Sequence, residues 1–269
     1  CIVRLDAHAI YDIGYVNKCI KVLANSDKEV ANVGGVIETK PSGTSLFAKA
    51  IAYVLSSKLG VGNSTFRVSV PSASQFVETV PFGCYRREVF EEIGFFNENE
   101  HRNEDIEFNK RLISSGKKIL LDPEIKSSYF SRKDLNSFSK QQFNNGFIVT
   151  NKYRGKESFH KLRHFIPLFF VLYLFCSLIT LVLNISESTL LFSYLIISSW
   201  LLYVLISLCL GIHYAVTKRQ WFTFLSVPIA LFTLHFSYGL GSIWGVLNIK
   251  VKKINSQPKV DSRKNNFSE

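Results

Sequence analysis

Apolar residues alternate between two spacings in the first part of the chain. Strand-like runs lie at residues 1–5 and 31–38, and helix-like spacing follows them at 12–23 and 45–59. This alternation predicts an α/β layer architecture, in which ligands collect at the carboxyl ends of the strands.

Turn-forming residues interrupt this pattern further along the chain. Apolar residues have no clear period over residues 60–81, which predicts an irregular segment. A strand edge is expected next, turning into a short helix that ends near Gly94. Two strands are expected at 118–121 and 125–130, separated by an Asp-Pro turn. Residues 134–153 predict a polar, amphipathic helix.

Three long apolar runs follow, at 165–183, 190–216 and 222–249. The first carries no charge and is about as long as one bilayer crossing, so we expect two or three membrane helices. Basic residues before the first run place the α/β part in the cytoplasm. A third full crossing would put the basic tail outside, against the same rule, so the third run either breaks the rule or is re-entrant or interfacial.

Composition narrows the classes of partner. The net charge is +11, and in the second part the basic residues flank the apolar runs. Anionic lipid headgroups explain that placement better than nucleic acid does, and no nucleic-acid-binding motif accompanies it. The five cysteines have no C-x-x-C spacing, which argues against a zinc site. Because the chain has no Met and begins inside an apolar run, we expect that an N-terminal part of the native protein is missing.

One short helix carries the candidate chemistry of the α/β part. Asn103 is a good N-cap, Gly116 is a plausible stop, and three carboxylates, Glu104, Asp105 and Glu107, lie in the first turns. These acidic side chains either offset the helix dipole or include a general base directed into a cleft. The helix alone leaves both interpretations open.

Three patterns in order carry a resemblance to a known family. Asp6-Ala-His8 follows a strand, Gly83 precedes a short helix, and Asn103-Glu104-Asp105 opens another. Over most of residues 1–165 the chain resembles the membrane-bound family-two inverting glycosyltransferases with a GT-A fold, especially those of succinoglycan and other exopolysaccharides. The fold class implied is α/β, a GT-A (Rossmann-like) domain that lacks its N-terminal part and is followed by a helical membrane region.

The resemblance implies a nucleotide-sugar donor and a divalent metal, Mn²⁺ or Mg²⁺. Asp6 and His8 would hold the metal and its diphosphate, although His8 stands where the family usually has a second Asp. Arg67 would also reach the diphosphate. By itself His8 could equally be a surface turn histidine.

The same resemblance implies roles on the acceptor side. Asp105 would be the general base, and Glu104 its neighbour would orient it or bind acceptor. Gly83 and Gln141 would bind acceptor, although Gly83 could be a simple turn glycine. Gln141 opens Gln-Gln-Phe-Asn-Asn, which keeps only the Gln of the Gln-x-x-Arg-Trp motif of processive members. This departure favours addition of one sugar.

The expected organisation has four parts. Residues 1–133 are the C-terminal part of the GT-A domain, 134–164 an amphipathic and basic interfacial region, 165–249 the membrane region, and 250–269 a basic, disordered tail. The expected protein is a multi-pass enzyme of the cell membrane with a cytoplasmic catalytic domain. It transfers a sugar to a lipid-linked or growing polysaccharide acceptor with inversion, and other polysaccharide-assembly proteins are possible partners. A processive synthase and a non-catalytic membrane-anchored binding module are the alternatives.

Overall fold

Strands and helices alternate along the first part of the chain, as the apolar spacing predicts. The computed structural model describes residues 1–7, 9–62, 64–68, 70–98, 104–151, 162–183 and 190–248. Its strands are β1 (Ile2–Val3), β2 (Ala9–Tyr11), β3 (Val30–Lys40), β4 (Gln75–Val77), β5 (Cys84–Tyr85) and β6 (Lys118–Phe130). Its helices are α1 (Tyr15–Asn25), α2 (Leu46–Val54), α3 (Lys58–Val61), α4 (Thr65–Val68), α5 (Glu88–Ile93), α6 (Glu104–Ser114), α7 (Leu135–Asn151), α8 (Ile166–Val182), α9 (Leu190–Thr217) and α10 (Ser226–Asn248).

The sheet is mixed, with the strand order β1-β5-β3-β6-β2. The two long strands, β3 and β6, run parallel, whereas β5 pairs antiparallel with both β3 and β1. The strand β1 therefore runs in the same direction as β3 and β6. β2 and β4 both pair antiparallel with β6. Asp6, which follows β1, thus lies toward the side of the sheet where β3 and β6 end.

Two buried clusters pack helices against this sheet. In one cluster, Cys19 of α1 packs with Val33 of β3. In the other, Phe108 and Leu112 of α6 pack with Tyr85 of β5. Because α6 presents a fully buried apolar face to the sheet, its first turn is held at a fixed height above β1 and β5.

The strand pair expected at 118–121 and 125–130 is one continuous strand, so the Asp-Pro turn prediction is wrong. Both flanks of Asp122-Pro123 pair with β3, and the pairing only shifts register between Gly34 and Val36. The carboxylate of Asp122 accepts a hydrogen bond from the backbone N–H of Glu124 at 2.8 Å. The turn-forming dipeptide makes a local irregularity because long-range pairing on both sides keeps the chain extended.

Two predicted helices differ at their ends. The helix expected at 45–59 is broken, because the Ser57 hydroxyl accepts from the N–H of Gly60 at 3.1 Å and caps a separate helix, α3. The helix expected at 12–23 starts at Tyr15, after Gly14 with φ +80°. The segment 60–81, expected to be irregular, contains the helix α4 and the strand β4. The stop at Gly116 is confirmed by its left-handed φ of +83°.

The apolar second part forms three helices. The helical stretches Leu191–Thr217 and Trp221–Leu247 are long and apolar enough to cross a membrane, whereas Ile166–Val182 is shorter. Length and composition thus support membrane association. The expected N-cap Asn103, the metal-site candidate His8 and the basic tail 250–269 lie outside the described residues.

The amphipathic helix α7 packs along α10. A Cβ on Gly146 of α7 would overlap the carbonyl oxygen of Tyr238, so the two backbones touch at this point. The Thr150 hydroxyl, one turn further, donates to the carbonyl oxygen of Ser242 at 2.9 Å. This seam joins the α/β part to the apolar helices.

The α7–α10 seam makes a stability prediction. Gly146→Ala places a methyl group against the Tyr238 carbonyl, and we expect a loss of about 1–3 kcal/mol in the free energy of unfolding. Ala is the better helix former by about 1 kcal/mol, so a loss of stability can only come from the clash. The measurement is the thermal unfolding midpoint of the full chain in detergent. Gly43→Ala is the control, because its added methyl meets only ordinary van der Waals contact.

Candidate active site

One guanidinium group joins the two acidic motifs. Arg4 follows β1, and its backbone N–H donates to the carbonyl oxygen of Gly83 at 3.0 Å. Its Nη2 lies 3.2 Å from Oδ1 of Asp6 and 2.7 Å from Oε1 of Glu104, and its Nη1 lies 3.4 Å from Oδ2 of Asp105. The structure thereby brings Asp6 together with Glu104 and Asp105, two predicted site residues that lie far from Asp6 in the sequence.

Asp105 combines access with partial burial. Its side chain is 29% exposed, and its Oδ1 accepts a hydrogen bond from the backbone N–H of Ile106 at 2.9 Å. Burial raises the pKa of Asp105, and the charge of Arg4 and the Ile106 hydrogen bond offset part of that rise. A carboxylate whose pKa is raised accepts a proton more readily than an ordinary carboxylate.

A buried polar network fixes the helix that carries Asp105. The side-chain oxygen of Asn109 in α6 accepts from Nδ2 of Asn32 at 2.9 Å, and its own Nδ2 donates to the hydroxyl of Thr79 at 2.9 Å. The Tyr85 hydroxyl donates to the same Asn109 oxygen at 3.4 Å. Burial and the nearby charge of Asp105 raise the pKa of Tyr85. These buried bonds hold α6 in register with the sheet.

Gly83 is required by close packing beside this network. A Cβ at this position would overlap the side-chain amide oxygen of Asn32. The preceding residue, Phe82, has a left-handed φ of +49°, and its carbonyl oxygen accepts from the Tyr15 hydroxyl at 2.9 Å. The tight turn at 82 and 83 brings the Gly83 carbonyl to the N–H of Arg4, so Gly83 helps to place the guanidinium.

Tyr11 closes the loop that contains the Asp-Ala-His motif. Its hydroxyl accepts from the backbone N–H of Asp6 at 2.7 Å and donates to the carbonyl oxygen of Asp6 at 3.1 Å. The carboxylate of Asp6 is an oxygen donor of the kind that binds hard divalent cations. Within the described ranges, no group of three or more His, Cys, Asp or Glu residues could hold a metal ion. A metal site here would therefore need His8 or ligands from outside the protein.

The two other predicted site residues, Arg67 and Gln141, meet at a different place. The Arg67 guanidinium lies 5.0 Å above the ring of Tyr129, and Nε2 of Gln141 donates to the Tyr129 hydroxyl at 3.1 Å. Both residues line a cavity of about 330 Å³ between α3, α7, α8 and α10. Burial lowers the pKa of Arg67. Among the described residues, no hydrogen bond or ion pair joins Arg67 or Gln141 to Arg4.

Sequence reasoning missed two residues that organise these places. Arg4 was hidden within an apolar run, although a charged residue among apolar neighbours just before Asp6 is itself a signal that it needs partners. Tyr129 lies in a predicted strand, and the sequence around it does not indicate a role in a site. Its role depends on Arg67 and Gln141, which only the fold brings near it.

Two known proteins are similar to this chain in sequence. No known family profile matches the chain. The chain is 28% identical over 168 residues to the succinoglycan biosynthesis protein ExoA of Rhizobium meliloti (strain 1021). The matched region covers 62% of this chain and 49% of that protein. The chain is 29% identical over 144 residues to the dolichyl N-acetyl-alpha-D-glucosaminyl phosphate 3-beta-D-2,3-diacetamido-2,3-dideoxy-beta-D-glucuronosyltransferase of Methanococcus voltae, covering 52% of this chain and 43% of that enzyme.

The chain spans about half the length, or less, of these two curated relatives. One relative is named for the synthesis of an exopolysaccharide, and the other for glycosyl transfer. The mixed α/β sheet followed by apolar helices is consistent with a GT-A domain and a membrane region. By this homology the chain is related to the GT-A-like glycosyltransferases of exopolysaccharide biosynthesis.

Proposed function

We propose that the chain belongs to a membrane-bound glycosyltransferase that moves a sugar from a nucleotide donor to a lipid-linked or growing polysaccharide acceptor. The observation that carries this proposal is the convergence of Asp6, Glu104 and Asp105 on Arg4. Two acidic motifs with no local reason to meet are held within reach of one guanidinium. Such convergence of ionisable groups is typical of a catalytic centre.

Asp105 is the group best suited to be the general base. It is partly exposed, its pKa is raised by burial, and α6 is anchored to the sheet below it. Its carboxylate would accept the proton of the acceptor hydroxyl as that oxygen forms a bond to the anomeric carbon. The bond from the anomeric carbon to the diphosphate breaks in the same displacement, so the configuration inverts.

Glu104 and Gly83 act around the base. Glu104 makes the shortest contact with Arg4, so the positive charge of Arg4 is shared between Glu104 and Asp105. Arg4 can then hold Asp105 in place without neutralising its carboxylate completely. Gly83 supports the base indirectly, because its turn packs against Asn32 and its carbonyl oxygen accepts from the N–H of Arg4. In this proposal Gln141 contacts the acceptor further away, beside Tyr129.

Asp6 and His8 would hold a divalent cation, Mn²⁺ or Mg²⁺. When bound, the cation would neutralise charge on the departing diphosphate. The hard carboxylate oxygen of Asp6 suits either metal. Arg4 contributes a fixed positive charge to the same place through its 3.2 Å contact with Asp6.

The apolar helices anchor this centre at the membrane in the proposal. The basic pair Lys218-Arg219 follows α9 and, by the positive-inside rule, would lie on the cytoplasmic side with the α/β part. Cytoplasmic placement gives the centre access to nucleotide sugars. The acceptor would then reach it from the lipid phase.

The assignment of the base predicts a large loss of turnover. Asp105→Asn removes the proton acceptor while keeping the shape of the side chain, so we expect kcat to fall by about 10²–10⁴-fold with little change in KM. The assay is sugar transfer by the full-length protein in membranes, with a panel of nucleotide sugars and Mn²⁺ or Mg²⁺. Asp6→Ala should lower kcat in the same assay.

Glu88→Gln is the matched control for Asp105→Asn. Glu88 is a first-turn carboxylate of another short helix, α5, and it is exposed. If only the helix dipole mattered, Glu88→Gln and Asp105→Asn would have equally small effects. Normal transfer by both Asp105→Asn and Asp6→Ala would show that the assignment of these catalytic residues is wrong. No transfer by the parent protein would favour the non-catalytic binding module, and product length separates single addition from processive synthesis.

Arg4 predicts a shift in the pH profile. Its positive charge lowers the pKa of Asp105, so Arg4→Gln should raise that pKa, and activity should be lost at a higher pH as the solution is acidified. We expect the acidic limb of kcat/KM to move up by about one pH unit. Arg4→Lys keeps the charge and should move the limb less.

Arg87→Gln is the control, because Arg87 is exposed and pairs only weakly with Glu91, at 4.0 Å. An unchanged acidic limb in Arg4→Gln, with folding intact by thermal unfolding, would show that Asp105 is not the group that titrates.

A further inference from the structure

Two cavities meet at Arg67, where the α/β part joins the apolar helices. The first, of about 330 Å³, is the one that Arg67 shares with Gln141. The second, of about 730 Å³, lies over the carboxyl ends of β3 and β6 and extends to the end of α9. Arg67 lines both, so the two cavities form one cleft with a guanidinium at its centre.

The cleft is rich in positive charge. Lys58 lines the first cavity, and Lys49, Lys126 and Lys218 line the second. Two carboxylates also line the second cavity, and one of them, Glu38, pairs with Lys40 at 3.2 Å. In the described part of the chain, no carboxylate forms an ion pair with Arg67 or with these four lysines. The cleft thus holds an excess of cations that an anion would satisfy.

Arg67 and Gln141 each have hydrogen-bonding capacity left over. A guanidinium has five N–H donors, and the described partners of Arg67 are only the rings of Phe66 and Tyr129. The Oε1 atom of Gln141 is buried, and the described residues give it no donor. Unsatisfied donors and an unsatisfied acceptor at one cavity are costly unless a polar ligand fills them.

Apolar surface continues from the charged centre toward the membrane helices. Ile166 and Pro167 of α8 and Leu234 of α10 line the first cavity. Beyond Lys218, at the other end, the aromatic side chains of Trp221 and Phe222 are exposed, at 65% and 84%. Aromatic and basic residues together are typical of the level of lipid headgroups. Such an apolar surface would pack against a hydrocarbon chain, whereas a nucleoside diphosphate has no hydrocarbon chain to place there.

We propose that the cleft around Arg67 binds the phosphate ester of a membrane lipid, with the lipid chain against α8 and α10. The guanidinium receives the phosphate oxygens, the lysines balance the remaining charge, and Gln141 accepts from a hydroxyl of the attached sugar. This inference rests on the proposed function in one respect: the lipid is the carrier of the acceptor sugar. Arg67 is then a ligand for the acceptor's phosphate.

The geometry explains how such a ligand would reach the catalytic centre. Ala9 of β2 pairs with Tyr129, and Tyr11 at the other end of β2 holds the backbone of Asp6. One short strand therefore separates the cleft from the carboxylates. A phosphate at Arg67 leaves room for its sugar to extend past Tyr129 toward that centre.

The test measures binding by the detergent-solubilised full chain, without any transfer reaction. The probes are farnesyl phosphate, farnesol, dioleoylphosphatidylglycerol, inorganic phosphate and UDP. We expect farnesyl phosphate to bind, and Arg67→Gln to weaken that binding at least tenfold. We expect much weaker binding of farnesol and of inorganic phosphate. Arg67→Lys keeps the charge without the planar fork and should be intermediate.

Arg87→Gln is the matched control and should bind farnesyl phosphate like the parent, since Arg87 is exposed on α5. Thermal unfolding of each variant shows whether a loss of binding is a loss of fold. If Arg67→Gln is unstable, Arg67→Lys and Lys58→Gln, both expected to weaken binding, replace it in the comparison.

The binding of the other probes shows which part of the proposal is wrong if it fails. Equal binding of dioleoylphosphatidylglycerol at Arg67 would make the cleft a general anionic-lipid site and overturn its assignment to the acceptor. Equally tight binding of inorganic phosphate would overturn the lipid part, and Arg67-dependent binding of UDP would assign the arginine to the donor. Asp105→Asn should bind farnesyl phosphate normally, so failure of this inference and failure of the proposed catalytic base are seen in separate measurements.

Discussion

The candidate active site depends on one charged side chain directly after the short strand β1. The side chain of Arg4 keeps only 25% of its surface exposed, and partial burial of an unpaired guanidinium is unfavourable. Its partners come from Asp6, two residues later, and from the first turn of α6, a hundred residues away. The contact with Glu104 is a charge-assisted hydrogen bond of 2.7 Å, and the contacts with Asp6 and Asp105 are longer ion pairs. The need to satisfy Arg4 therefore fixes the position of the acidic end of α6.

That position holds only because α6 is anchored below its first turn. Phe108 and Leu112 bury its apolar face, and Asn109 places an amide between Asn32 and Thr79 in the interior. Burying an amide is unfavourable unless its hydrogen bonds are made, so the helix has few alternative registers. A rigid support and the contact with Arg4 together leave Asp105 little freedom, as the role proposed for it as general base would require.

The sequence predicted the α/β alternation, the short acidic helix and the apolar helices, because each depends on spacing within one segment. The resemblance to polysaccharide glycosyltransferases is supported by homology. The errors arose where distant parts of the chain decide the outcome. Asp122-Pro123 looked like a turn until pairing with β3 held it extended, and Ser57 divided a helix by capping its second half. Arg4 and Tyr129 could not be assigned, since their partners are brought near only by the fold.

If the proposed function holds, the three-residue strand β2 has a consequence for changing the acceptor specificity. Its first residue is paired with Tyr129 in the wall of the cleft, and its last, Tyr11, sets the height of the Asp6 backbone. A substitution that moves Tyr129 to admit a different acceptor will also move Asp6. The positions of Tyr129 and Asp6 are therefore coupled through β2. A chimaera designed to exchange acceptor preference would have to transfer β2 together with the end of β6.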